Sequence, residues 1–87
     1  MARRFLISGR VQGVGYRYFA ERSAHQTGVT GWARNLDDGR VEVHANGSKE
    51  QLEDFEGRLR VGPRFAEVRA VEVREDAVLD LHSFDIR

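Results

Sequence analysis

Apolar residues change their spacing along this chain in a fixed order: two, then three to four, then two twice, then three to four, then two again. Few folds accept that order. From Arg4 to Val11 the residues alternate, with Phe5, Ile7, Gly9 and Val11 on one side and Arg4, Leu6, Ser8 and Arg10 on the other, which is the pattern of a half-buried strand. Tyr16, Phe19, Ala20, Ser23, Ala24 and Thr27 then fall on one helical face, and Gly28 is placed to end the helix in a left-handed conformation. Val29 to Leu36 predicts a second strand, Leu36-Asp37-Asp38-Gly39 a tight turn, and Arg40 to Ala45 a third strand returning antiparallel. In that third strand Val41, Val43 and Ala45 are expected inward, and Arg40, Glu42 and His44 outward.

Ser48 with Gln51 three residues later is a capping-box pattern opening a second helix, whose core stripe is Leu52, Phe55 and Leu59 and whose end is Gly62-Pro63. The spacing of Phe65, Val68, Val71 and Val73 slips from three to two. That slip predicts an irregular entry to a strand running from about Val68 to Arg74. A last alternating run, Ser83 to Ile86, offers Phe84 and Ile86 to the core. The order β-α-β-β-α-β plus a short fifth strand predicts an α+β, ferredoxin-like sandwich: an antiparallel sheet with two helices on one face, in a single domain spanning 1–87. A chain of this size buries only about 60–65% of its unfolded surface and so depends on well-paired elements.

Charge excludes more than it suggests. The 14 basic and 14 acidic residues cancel, so no global field draws the chain to nucleic acid or to an anionic membrane, and any anion preference has to be local. The absence of cysteine rules out a thiolate nucleophile and sulfur-ligated zinc. Phe5-Leu6-Ile7 is too brief an apolar run for a membrane span, and a cytoplasmic location is expected. His25, His44 and His82 lack metal-ligand spacing and are expected on the solvated surface, so neither a metal nor a cofactor is anticipated.

The local candidate is Gly9-Arg10-Val11-Gln12-Gly13-Val14-Gly15-Tyr16-Arg17, which leads from the first strand through glycines into the first helix. Glycines let backbone N–H groups turn toward one point, a helix N-terminus adds unpaired donors, and Arg17 brings a two-pronged charge. An arginine in the first turn opposes the helix dipole, which favours an anionic guest; the blander possibility is a tight connection with a solvated arginine. Known phosphate loops do not fit. A Walker A loop ends in Gly-Lys-Ser/Thr, and the dinucleotide fingerprint needs glycine where Tyr18 stands. The second candidate is Gly31-Trp32-Ala33-Arg34-Asn35. Asn35 shares a strand side with Ala33 and Gly31, and its amide is either a turn-former bonding its own backbone or a group that positions water. Trp32, of opposite parity, is expected on the helix-free face.

These two segments together resemble the signature pair of the acylphosphatase family, and the similarity runs over nearly the whole chain, including Asp38-Gly39, Gly62-Pro63, Val71-Glu72-Val73 and Phe84-Asp85-Ile86. Tyr16 stands where phenylalanine is common and Ala33 where a larger aliphatic is common. The resemblance implies hydrolysis of acyl phosphates. It implies a phosphate-binding loop of Gln12, Gly13, Val14, Gly15, Tyr16 and Arg17, with Arg17 essential and Asn35 orienting the attacking water. The implied partners are a small acyl phosphate and inorganic phosphate as product and inhibitor; from the balanced charge no nucleic acid or membrane partner is expected, and a monomer is expected.

Two other classes share parts of this pattern. A non-catalytic anion-binding or regulatory module would keep the loop but has no need of Asn35. An RNA-binding module of the same topology needs exposed aromatics on the middle strands and a basic surface, whereas Arg40, Glu42 and His44 occupy the open side of the third strand.

Overall fold

A computed structural model describes all residues from Met1 to Arg87. The elements follow in the order β1 (Ala2–Arg10), α1 (Tyr16–Thr27), β2 (Thr30–Asn35), β3 (Val41–Asn46), α2 (Lys49–Val61), β4 (Glu67–Glu75) and β5 (Phe84–Ile86). They build one five-stranded sheet in the order β4-β1-β3-β2-β5. The first four strands pair antiparallel, as the spacing predicts. The departure is β5, which joins the outer edge of β2 in parallel, so the complete sheet is mixed. Alternation identifies a short strand but carries no information on the direction of its neighbour.

Both helices begin and end where local chemistry dictates. Ser48 Oγ accepts from the Gln51 N–H at 3.1 Å and Gln51 Oε1 accepts from the Ser48 N–H at 2.8 Å, a complete capping box contributing about 1 kcal/mol. Gly28 ends α1 with φ 82°. Leu52, Phe55 and Leu59 are fully buried beneath α2, and burial of each stabilises the fold by roughly 1.5–3 kcal/mol. They meet Phe5, Ile7, Val41, Val43 and Ala45 from the sheet, and Phe55 sits edge-on between Phe5 and Phe84. The irregular entry to β4 is a bulge: Ser8 pairs with Ala70 but Gly9 with Val68, leaving Arg69 as the extra residue.

The helix-free face differs from its reading in the sequence. Glu42 and His44 do point away from the helices, yet both are buried. His44 stacks on Trp32 with ring centroids 5.9 Å apart, and guanidiniums of Arg34 and Arg87 lie over the indole. The connection from β4 to β5 has to travel from one edge of the sheet to the other. It is tied on the way by Asp76 N–H to Ala2 O, by Asn46 to Leu79, and by Gly31 N–H to Ser83 O. His44 Nδ1 lies 3.0 Å from Oδ2 of Asp76 in this connection, and Nε2 lies 3.0 Å from Oδ1 of Asn46. The expectation of a solvated His44 is therefore wrong: it is an internal anchor for the crossing segment. His25 and His82 are exposed as expected.

Candidate active site

The loop between β1 and α1 leaves the sheet at Val11, which is buried, and turns through Gly13 (φ 74°) and Gly15 (φ 76°). Both glycines are left-handed with open space where a Cβ would stand, so conformation rather than crowding requires them. Gly15 is the N-cap residue of α1 and brings no side-chain acceptor to the first turn, which also contains no acidic residue. As a result, no main-chain N–H from Gln12 to Arg17 donates to another group of the chain. A run of free donors at a helix N-terminus, with its positive dipole end, is a seat for an anion.

Side chains of the same segment fix its position. Gln12 Nε2 donates to Leu36 O at 2.7 Å and to Arg40 O at 2.9 Å, binding the loop to the β2–β3 hairpin. Its side-chain nitrogen is thereby committed to the scaffold, which leaves the Gln12 main-chain N–H for a ligand. Val14 packs against the core cluster. Tyr16 is buried, and its hydroxyl donates to Leu59 O at 2.7 Å. The helical partner of that carbonyl would be the N–H of residue 63, which is proline and has none. The phenol therefore satisfies a carbonyl that the proline strands, and burial raises its pKa well above the usual tyrosine range. The loop resemblance alone gave no hint of this bond; the pairing of a tyrosine with a proline-terminated helix is the signal that points to it.

Arg17, one residue into α1, reaches across to the other end of the chain: its Nη1 donates to the main-chain oxygen of Arg87 at 2.7 Å. The Arg87 N–H in turn donates to Ala33 O at 2.8 Å. Two bonds thus connect the Arg17 guanidinium to β2, two residues before Asn35. Asn35 is exposed at the end of β2, and its carboxamide makes no hydrogen bond within the chain. The turn after it is closed by other groups: Leu36 N–H to Arg40 O, Gly39 N–H to Leu36 O, and Arg40 N–H to the Asp38 carboxylate. Asn35 is not the turn-former.

Loop and strand end share one cleft of about 120 Å³, lined by Val11, Gly13, Gly15, Tyr16, Arg17 and Asn35 together with Tyr18. A larger depression, about 340 Å³, lies between α1 and α2 and includes neither Arg17 nor Asn35. Gly13, Gly15, Tyr16, Arg17 and Asn35 are thus brought together in one cleft on a ferredoxin-like sandwich, while the other two sequence candidates, Gln12 and Val14, are not among its lining residues. The family model described as Acylphosphatase matches residues 3–86. The chain is 56% identical over 86 residues to the acylphosphatase of Solibacter usitatus, covering 99% of this chain and 90% of that one. It is 53% identical over 81 residues to the acylphosphatase of Thermus thermophilus, covering 93% and 92%. The crystal structure of acylphosphatase from Bacillus subtilis superposes with a TM-score of 0.94 at 39% identity, covering 99% of this chain and 97% of that chain. The chain belongs to the acylphosphatase family.

Proposed function

We propose that the chain hydrolyses acyl phosphates to a carboxylate and inorganic phosphate, with the Gln12–Arg17 loop seating the phosphoryl group and Asn35 placing the water. Family membership makes it an acyl phosphate hydrolase. The division of labour among residues is supported by one observation above the others. Gly13, Gly15, Tyr16 and Arg17, whose main-chain donors are free, line the same small cleft as Asn35, whose carboxamide is unbonded.

In this reading the N–H groups and Arg17 hold the phosphoryl oxygens through charge-assisted bonds, and they stabilise the charge that spreads over those oxygens in the transition state. Asn35 Oδ1 accepts a hydrogen bond from a water and aims its oxygen at phosphorus. The water oxygen bonds to phosphorus as the bond from phosphorus to the acyl oxygen breaks. The carboxylate leaves with the electron pair, and the water's proton passes to a phosphoryl oxygen of the substrate. A carboxylate is a good leaving group and needs little protonation, so the step makes no demand on a general acid.

The same proposal takes the working unit as a monomer of one domain, 1–87, in the cytoplasm, acting without cofactor and inhibited by its product phosphate. No helix is long and apolar enough to cross a membrane. Arg4, Glu42, His44 and Asp76 are engaged with one another on the helix-free face, which favours a structural role there over a nucleic-acid surface.

Hydrolysis in ¹⁸O-labelled water tests the step. The label is expected in inorganic phosphate; label in the carboxylate would mean attack at the acyl carbon and would remove the role given to Asn35.

A further inference from the structure

Three consecutive residues at the start of α1 point in three directions, because successive helical positions are rotated by about 100°. Tyr16 enters the core and Arg17 reaches Arg87. Tyr18 does neither. It lines the same cleft as Arg17 and Asn35, yet it is 71% exposed. Its hydroxyl makes no hydrogen bond and its ring pairs with none of the aromatic rings that pack elsewhere, in contrast to Tyr16, which has both kinds of contact. A large, two-torsion aromatic side chain that is exposed on a residue lining the cleft, without any partner of its own, is a ready contact surface for a ligand.

Geometry limits what that ligand part is. The free main-chain donors of Gly13, Gly15, Tyr16 and Arg17 suit the phosphoryl oxygens, so a group that meets the exposed ring of Tyr18 beside them belongs to the other half of the substrate. Resting on the acyl phosphate reading above, we infer that Tyr18 is a specificity-determining residue that packs on the acyl group and favours flat or apolar acyl chains over the smallest ones. The contact forms equally in the bound substrate and in the transition state, since the acyl carbon skeleton changes little as the phosphorus–oxygen bond breaks. It therefore acts through KM rather than kcat.

The test compares benzoyl phosphate with acetyl phosphate for the wild type, Tyr18→Ala and Tyr18→Phe. The side chain is exposed and unbonded, so both variants are expected to fold with unfolding midpoints close to wild type. Tyr18→Ala is expected to lower the benzoyl-to-acetyl ratio of kcat/KM by about threefold to tenfold, the size of one aromatic contact, with the change carried by KM for benzoyl phosphate. Tyr18→Phe restores the ratio. An unchanged ratio in Tyr18→Ala, or a parallel loss on both substrates, overturns the inference. Failure of the underlying reading looks different: the wild type then hydrolyses neither substrate, and the inference falls with it.

Discussion

The Arg17 guanidinium and the main-chain oxygen of Arg87 meet at 2.7 Å, joining the first turn of α1 to the segment that follows β5. Because the Arg87 N–H is bonded to Ala33 O, this contact holds the charge of the loop at a fixed place relative to the strand that carries Asn35. The partner of Arg17 is a main-chain atom, so the side chain of residue 87 is dispensable for it.

Removal of Arg87 and its replacement by alanine are accordingly expected to differ. Deleting the residue frees Arg17 and lowers kcat/KM by about threefold to tenfold, the net scale of one ordinary hydrogen bond. Arg87→Ala keeps the oxygen, loses the stacking over Trp32 at 4.9 Å, and retains most of the activity. Steady-state kinetics of the two variants side by side checks this; equal losses would show that the contact does not position Arg17.

Tyr16→Phe leaves the Leu59 carbonyl without its donor while preserving the ring packing. The expected loss is about 1–2 kcal/mol of stability by urea unfolding, with kcat within about twofold of wild type. A large fall in kcat without loss of stability would instead give the phenol a part in the chemistry.

Acid is expected to loosen the β4–β5 crossing. The hydrogen bond from His44 holds the Asp76 carboxyl below the ordinary aspartate range, helped by the Ala77 N–H and the charge of Arg4. A carboxyl whose folded pKa lies below its unfolded value contributes stability above the unfolded value, and loses it as pH falls through the folded one. The stability difference between wild type and Asp76→Asn should thus be greatest above the ordinary aspartate value of about 3.9, and shrink as pH falls below it toward the lower folded value. Urea unfolding of both proteins across that range measures it; parallel curves would contradict the assignment.

Much of this architecture is legible in the sequence because it is local. Ser48 and Gln51 cap α2, Gly28 ends α1, and Leu52, Phe55 and Leu59 form its neighbour's buried stripe, all through contacts within a turn or two. The candidate loop of the proposed site is readable for the same reason, since its glycines and Arg17 are contiguous. His44 and Glu42 show where locality ends. A period of two separates the faces of β3 but does not reveal that a segment more than thirty residues away, beginning at Asp76, crosses to bury the second face. Trp32, a large apolar side chain on that face, is the available hint. Gln12 is a similar case: its position in the loop is readable, but its commitment to Leu36 and Arg40 requires the hairpin to be in place.

The central claim is that Arg17 holds the phosphoryl group whereas Asn35 acts on the water. It is tested most directly by one set of inhibition kinetics on an aromatic acyl phosphate in the presence of a chelator, with inorganic phosphate as the competitor, for the wild type, Arg17→Ala and Asn35→Ala. The account predicts that Arg17→Ala loses about 10³-fold or more in kcat/KM together with phosphate inhibition. Asn35→Ala is predicted to lose about 10²-fold in kcat while its phosphate inhibition constant stays within about twofold of wild type. Equal turnover in all three proteins, or loss of phosphate inhibition in Asn35→Ala to the same extent as in Arg17→Ala, would contradict it.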